Sequence, residues 1–319
     1  MAPNNSKKRT HSVSTQDGAS AHNGTNVDLN DPAVADAYAD ESIKHPSTKR
    51  AKEVDASTPL DNLQEILSQQ PEGPEVKTVL HWFRSKDLRE QDNRALYAAA
   101  TKAKEANTNL IAMYLFSPAD MDWHGTSAAR SDFILQSLRL LKQSLEAKNI
   151  PLAMVTAKER GEKTEDVLRF VRENGVSHVF ANYEYEVDEL RRDISVARHL
   201  AKEAKGEVKF ELRHDQTVME PGALKTGSGG PMKVFTPYHK AWLAEVGENP
   251  SLLDELPEPE GNDAKAKEQF KHLFESQVPG LPESKKFGSD EDRDRIRGMW
   301  PAGTEAGMKR LRDFLQNKV

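Results

Sequence analysis

Cysteine is absent from the 319 residues of this sequence. Its absence excludes disulfide bridges, zinc or iron–sulfur sites with cysteine ligands, and a cysteine nucleophile. Long apolar runs are missing as well, since no stretch approaches the roughly 20 residues that span a bilayer, and no signal-peptide core follows the N-terminus. We therefore expect no membrane partner.

Hydrophobic residues are comparatively scarce. They make up 36% of the sequence against 30% charged residues, and the mean hydropathy is −0.75. A composition this polar predicts that part of the chain is disordered. Acidic residues outnumber basic ones by 51 to 45, so the balance gives no support for a phosphate-binding face. The histidines show no metal-ligand spacing, and we predict no metal site.

The N-terminal part of the chain, residues 1–73, is predicted to be a disordered tail, because it is polar and lacks periodicity. Two basic clusters, KKR at residues 7–9 and KRAK at residues 49–52, are of the kind that nuclear import receptors bind. We predict a nuclear location on this basis. A mitochondrial or cytoplasmic location is the alternative, although acidic residues between 28 and 41 are untypical of a transit peptide. Leucine and isoleucine at helical spacing in residues 60–67 predict one short helix that docks on the body.

Strand and helix patterns alternate through the middle of the sequence. Strands are predicted at residues 76–83, 110–116, 151–156, 176–181 and 208–212, and helices at residues 92–106, 131–148, 164–174 and 187–204. We expect Asp92 and Thr164 to be helix N-caps, and Phe133 to lie on a buried stripe. This alternation predicts an α/β fold: a doubly wound, Rossmann-like sheet of five parallel strands.

The remaining sequence suggests three further parts. We assign residues 74–248 to the α/β domain and residues 249–300 to an acidic, proline-rich, extended linker with one short helix near Phe270. Residues 301–319 form a terminal helix with one apolar face, for which the sequence offers no packing partner. We take this helix as a sign that a further domain is missing.

The turn after the first strand is rich in charged residues. In a doubly wound sheet the first strand lies at the centre, beside the switch point where ligands bind. Arg84, Asp87, Arg89 and Asp92 follow that strand and are predicted to form an ion-pair cluster that shapes the turn.

Four segments, taken in order, resemble the DNA photolyase/cryptochrome family, and within it the class I cyclobutane pyrimidine dimer photolyases. The segments are WFRSKDLREQDN at residues 82–93, NYEYE at residues 182–186, TG followed by VFTPY within residues 226–238, and WPAG at residues 300–303. The resemblance implies that the α/β domain carries a light-harvesting antenna chromophore. It also implies that residues 301–319 open a helical domain that binds FAD and damaged DNA.

Most of that helical domain has no counterpart in this sequence. We therefore expect a lyase of blue-light DNA repair by resemblance, but a chain that is inactive alone and contains no catalytic residue, since light-driven electron transfer needs the flavin. The alternative is a non-enzymatic module, either cryptochrome-like or one that binds a nucleotide, a pterin or a protein partner.

The resemblance also suggests antenna-binding residues. His124, Asp188 and Glu189 match the positions that contact the pterin in members with a reduced-folate (methenyltetrahydrofolate) antenna. A carboxylate suits this role because it can accept two parallel hydrogen bonds from the pterin. The structural alternative is that Asp188 and Glu189 complement a helix dipole and that His124 is an exposed loop residue. A deazaflavin or flavin antenna would use the switch-point cleft instead.

Overall fold

A computed structural model of the chain describes residue 52 and residues 56–203 and 206–318. The predicted disordered tail up to residue 51, the basic cluster at residues 7–9 and all of the second cluster except Lys52 lie outside these residues. No helix in the described part is both long enough and apolar enough to cross a bilayer.

Five parallel strands form one sheet in the order β3-β2-β1-β4-β5, which confirms the predicted fold. The strands are β1 (Thr78–Phe83), β2 (Asn109–Phe116), β3 (Leu152–Thr156), β4 (Val176–Asn182) and β5 (Lys209–Arg213). Every residue of β1 and β4 is buried, because helices cover both faces of the sheet. The strand order reverses between β1 and β4, which places the switch point beside the central strand.

Eleven α-helices accompany the sheet within the described residues. They are α1 (Pro59–Ser68), α2 (Arg94–Glu105), α3 (Pro118–Trp123), α4 (Ala128–Ala147), α5 (Lys163–Glu173), α6 (Val187–Glu203), α7 (Phe235–Glu248), α8 (Ala266–Gln269), α9 (Lys271–Phe274), α10 (Asp290–Met299) and α11 (Thr304–Lys318). Two hydrophobic clusters form the core. One joins the sheet to α1, α5 and α6, and the other joins it to α2 and α4.

Three local predictions are wrong. Asn93, not Asp92, caps α2: its side chain accepts the N–H of Leu96 at 3.0 Å, while Asp92 lies in the left-handed region with φ 51°. Asparagine and aspartate are equally good caps, so the sequence does not distinguish two neighbours. Helix α5 begins before Thr164 and has no side-chain cap. Phe133 lies beside the buried stripe of α4 and is 43% exposed.

The helix predicted within the tail is present as α1. Thr58 caps it through the N–H of Asp61 at 3.1 Å, and Leu63 is fully buried in the core shared with α6. Gln70 then exchanges two hydrogen bonds of 2.9 Å with the main chain of Phe210 in β5. The ordered body therefore begins before the predicted boundary at residue 74.

The segment predicted as a linker lies against the α/β domain. The side chain of Asn262 bonds both main-chain groups of Leu110 at the start of β2, at 2.8 and 2.7 Å. Phe270 and Leu273 are buried in the core, and the hydroxyl of Ser276 accepts the N–H of Met154 in the edge strand β3 at 2.8 Å. This segment therefore covers the sheet edge that would otherwise be open.

Candidate functional site

A cleft of about 750 Å³ opens at the carboxyl ends of β1, β2 and β4, which is the switch point of the sheet. Its walls come from the turn after β1, from α3 and the start of α4, and from the start of α6. This is where open α/β sheets bind ligands, because loops diverge on either side of the point where the strand order reverses.

The floor of the cleft is an aromatic ring between two cations. The guanidinium groups of Arg84 and Arg192 lie 3.8 and 4.9 Å from the ring centroid of Trp82. Both arginines contact Asp193, which is fully buried: Arg84 Nη2 lies 3.1 Å from it and Arg192 3.0 Å. Arg192 also donates to Glu184 at 3.1 Å. Because each carboxylate has a cationic partner, these buried charges can persist away from water.

Burial and neighbouring charges shift the pKa values of the titratable groups in the cleft. Burial favours the neutral form of Glu184, but Arg192 and Arg84 outweigh it and hold the pKa of this carboxyl below its usual range. Burial likewise opposes the charge of Arg192, yet Asp193 and Glu184 raise its pKa. The pKa of Tyr114, on the β2 side of the cleft, is raised chiefly by burial. The cleft therefore contains a carboxylate, two cations and a neutral phenol.

Two buried polar atoms at this cleft have no hydrogen-bond partner within the described chain. One is Nη1 of Arg84, a donor on a residue only 2% exposed, and the other is Oε2 of Glu189, an acceptor. Buried polar groups are almost always paired. A ligand that offers one acceptor and one donor would meet both needs.

The four residues of the predicted ion-pair cluster are joined within the turn by hydrogen bonds that involve main-chain groups, including two from Arg89 to the carbonyl of Asp92 at 3.0 and 2.7 Å, and each of them also contacts a distant part of the chain. The main-chain N–H of Arg84 donates to the carboxylate of Asp87 at 2.6 Å, and Arg89 pairs with Asp215 at 2.7 Å. The N–H of Asp92 donates to the carbonyl of Leu256 at 3.0 Å, and the carboxylate of Asp92 accepts the N–H of Leu256 at 3.2 Å. No side-chain ion pair joins the four predicted residues to one another. The cluster is thus held in part by segments far away in sequence, which the spacing of the turn could not reveal.

Asn182, at the end of β4, connects this cluster to α2. Its amide nitrogen donates to Asp87 at 2.7 Å and to Asn93 at 2.9 Å, and its carbonyl accepts the N–H of Ala95 at 3.1 Å. Burial raises the pKa of Asp87 to about 7, although the bonds from Asn182 and Arg84 oppose the shift. Asp87 therefore supports the turn from behind and is not among the residues that line the large cleft.

The three residues predicted to bind the antenna all line the same cleft. His124 follows α3, with Nε2 3.8 Å from Asp188, and its side chain is 46% exposed. Asp188 also accepts from Arg160 at 2.9 Å, and Arg160 in turn pairs with Asp120 and lies 4.5 Å over the ring of Trp123. Asp188 is therefore engaged in an ion pair at the rim, whereas Glu189 retains an unpaired oxygen.

A search for similar proteins matches the sequence profile of DNA photolyase to residues 79–260 of this chain. The chain belongs to the DNA photolyase family. A deoxyribodipyrimidine photo-lyase from Neurospora crassa is 40% identical over 247 residues, which are 77% of this chain and 40% of that protein. The Escherichia coli deoxyribodipyrimidine photo-lyase is 36% identical over 173 residues, covering 54% of this chain and 35% of that protein.

The chain thus spans well under half the length of these photolyase relatives. The crystal structure of a cryptochrome from Synechocystis superposes with a TM-score of 0.55 at 19% identity, over 77% of this chain and 47% of that one. At this identity the likeness supports the fold alone.

Only some of the residues at the cleft could be identified from the sequence. Sequence reasoning identified Arg84 from the turn and Glu189 from the resemblance. It assigned no role to Tyr114, which lies in an apolar strand, or to Arg160, whose contacts with Asp120 and Asp188 join distant segments. It also separated a folate site from the switch-point cleft, whereas His124, Asp188 and Glu189 line that cleft together with Arg84 of the turn.

Proposed function

We propose that this chain is the light-harvesting portion of a deoxyribodipyrimidine photo-lyase-like protein and that its switch-point cleft binds a planar antenna chromophore. The observation that carries the proposal is the pair of unmet hydrogen-bonding atoms, Arg84 Nη1 and Glu189 Oε2, in a cleft floored by Trp82. Membership of the DNA photolyase family supports the light-harvesting role.

The residues fit a bicyclic or tricyclic heterocycle with a carbonyl next to ring N–H groups. Arg84 would donate to the carbonyl, and Glu189 would accept from the N–H or amino group. Such a group would supply absorption in the near ultraviolet or the blue. A reduced folate is our first choice, because the pterin edge has an amino group that a carboxylate can bind, and a deazaflavin or flavin is the alternative.

Repair of pyrimidine dimers and binding of FAD are proposed only in combination with the helical domain that the resemblance implies. We propose that the present chain alone leaves dimers in DNA unrepaired under blue light. Nuclear import through the basic clusters at residues 7–9 and 49–52 stays a prediction from the sequence.

The test is a titration of the purified chain with methenyltetrahydrofolate and, separately, with flavin mononucleotide, followed by absorption and fluorescence. Glu189→Gln should weaken binding of the preferred compound by roughly tenfold or more, because a hydrogen bond to a buried charge is worth about 1.5–3 kcal/mol. Asp188→Asn should have a smaller effect, because Asp188 already pairs with Arg160.

Glu165→Gln is the matched control, since Glu165 is an exposed glutamate on α5, away from the cleft. Failure of both compounds to bind would refute the chromophore proposal. Equal binding by wild type and Glu189→Gln would remove Glu189 from the site but leave a cleft ligand in place.

A further inference from the structure

Helix α4 presents two stripes of side chains. One faces the core and contains Ile134, Leu138, Leu141 and Leu145. The second lines a separate groove of about 690 Å³ and consists of Ala129, Phe133, Gln136, Leu140 and Gln143. Its spacing alternates between four and three residues, so these side chains lie on one face of the helix, and Arg130, Asp132 and Arg139 line the same groove.

The opposite wall of this groove is the turn between α10 and α11, residues 296–302. Arg297 fixes it to α4 by a two-pronged contact with Asp132, at 2.8 and 2.7 Å. At Gly303, with φ +93°, a Cβ atom would lie 2.7 Å from the side chain of Leu140, so only glycine allows this close approach. Arg297 and Gly303 thus hold this turn against α4.

The groove exposes large apolar side chains. Phe133, Leu140 and Trp300 are 43%, 46% and 54% exposed, although each lies next to the others along the same groove. Scattered exposed apolar residues are ordinary, but a contiguous set in a concave surface is typical of a site for a protein partner.

The rim of the groove is positively charged in a protein of net charge −6. Arg130 and Arg139 line it, and no carboxylate in the described part of the chain forms an ion pair with either. Arg297 lines it as well, but its charge is balanced by Asp132. A partner with acidic side chains would therefore gain favourable interactions here that most of this protein's surface would not offer.

We propose that this groove binds an acidic amphipathic α-helix of a partner protein. Apolar side chains of that helix would insert between α4 and Trp300, and its glutamate or aspartate side chains would face Arg130 and Arg139. A groove that runs along one face of α4 suits a helical partner, and Arg130 and Arg139, which form no ion pair with a carboxylate of the described chain, favour an acidic one, although Arg139 also donates to the carbonyl of Pro279 at 3.1 Å. Helix α11 of a second copy fits less well, because it carries more basic than acidic residues and would bring like charges together.

The test uses the 319-residue chain and two fluorescent helical peptides of about 16 residues, measured by anisotropy. Both peptides carry leucine at the same heptad positions. One has glutamate and the other lysine at every flanking position. We expect the glutamate peptide to bind at least about tenfold more tightly, and the difference to narrow as salt screens the charges.

Variants locate the binding. Leu140→Asp should abolish binding of the glutamate peptide, and joint replacement by Arg130→Glu and Arg139→Glu should make the lysine peptide the better ligand. Leu243→Asp is the control, because Leu243 is a similarly exposed leucine on α7, outside the groove. Binding of the glutamate peptide that survives Leu140→Asp would overturn the proposal, as would equal affinity for the two peptides. A dimer in sedimentation that Leu140→Asp dissociates would also overturn it, because a second copy would then occupy the groove.

Discussion

The switch-point cleft and the α4 groove lie on either side of the same helix terminus, and Ser127 and Arg130 line both. Charge is buried beneath the cleft: Arg84, Arg192, Glu184 and Asp193 are almost inaccessible and hold one another in place. The groove does the opposite, because it exposes aromatic and aliphatic side chains between cationic residues.

Each surface thus leaves a different requirement unmet by the folded chain. In the cleft the unmet requirement is for hydrogen bonds, and a small, flat, polar molecule can supply them. In the groove, apolar side chains remain exposed to water, and a protein segment can cover them better than a small molecule can. The contrast predicts that substitutions of the buried charges beneath the cleft mainly affect folding, and that those in the groove mainly affect association.

The two surfaces should differ most in how much the free energy of unfolding changes when a buried arginine of the cleft or an exposed leucine of the groove is replaced. Arg84→Met leaves Asp193 with Arg192 as its remaining cation, and we expect the free energy of unfolding to fall by about 3 kcal/mol. Leu140→Asp should change it by less than about 0.5 kcal/mol, because Leu140 is nearly half exposed. Urea denaturation at neutral pH measures both values, and a loss below about 1 kcal/mol for Arg84→Met would contradict the contrast.

A second prediction concerns His81, which lies in the same strand as Trp82 and is fully buried with neither ring nitrogen hydrogen-bonded within the described chain. Burial, assisted by Arg84, lowers the pKa of His81 to about 3. Its neutral form therefore stabilises the fold above the ordinary histidine pKa near 6.5, and this stabilisation is lost as the pH falls below that value.

The comparison of wild type with His81→Leu isolates this effect. Between pH 6.5 and pH 4.5, the wild type should lose about 2 kcal/mol more unfolding free energy than the variant, because the slope approaches about 1.4 kcal/mol per pH unit only well below pH 6.5. The exposed His239, replaced by leucine, serves as the control and should show no such difference. If the free energy of unfolding of wild type and His81→Leu changed in parallel with pH, the buried imidazole would not resist protonation.

A smaller loss of stability than that of Arg84→Met is expected at the wall of the groove. Arg297→Gln removes the two-pronged contact to Asp132, and we expect a loss of about 1 kcal/mol, since Arg297 is partly exposed. Arg297 holds the pKa of Asp132 below its usual range, so this contribution is present above about pH 4 and is lost on further acidification. Urea denaturation at neutral and at acidic pH tests this. Arg295→Gln, on the same helix with an exposed partner, should have almost no effect at either pH.

The predicted sheet was confirmed because its strands are continuous apolar runs, such as residues 110–116, whose length and flanking turns distinguish them from helices. Details that depend on distant contacts could not be predicted. Phe133 has the right spacing for the core, yet the face it occupies is left uncovered, and nothing in the periodicity of one helix states how many of its stripes will be buried.

The site shows the same limit. Arg84 and Glu189 are recognisable from local motifs, but their relation to Asp193 and Trp82 depends on how β1, β4 and α6 pack. The groove was missed entirely, because its second wall lies more than 150 residues after α4 begins, in a segment interpreted from the sequence as the end of a linker.

The hydrogen bonds of Asn262 can form only late in the synthesis of the chain. Asn262 occupies both main-chain groups of Leu110 from 152 positions further along the chain, and Ser276 reaches edge strand β3 from still further away. A ribosome completes all five strands long before it delivers these residues. Until then the growing polypeptide carries a finished sheet with one open edge, a state that invites pairing with other nascent chains. We therefore expect the return of residues 262–276 to the sheet to protect the chain against aggregation late in synthesis.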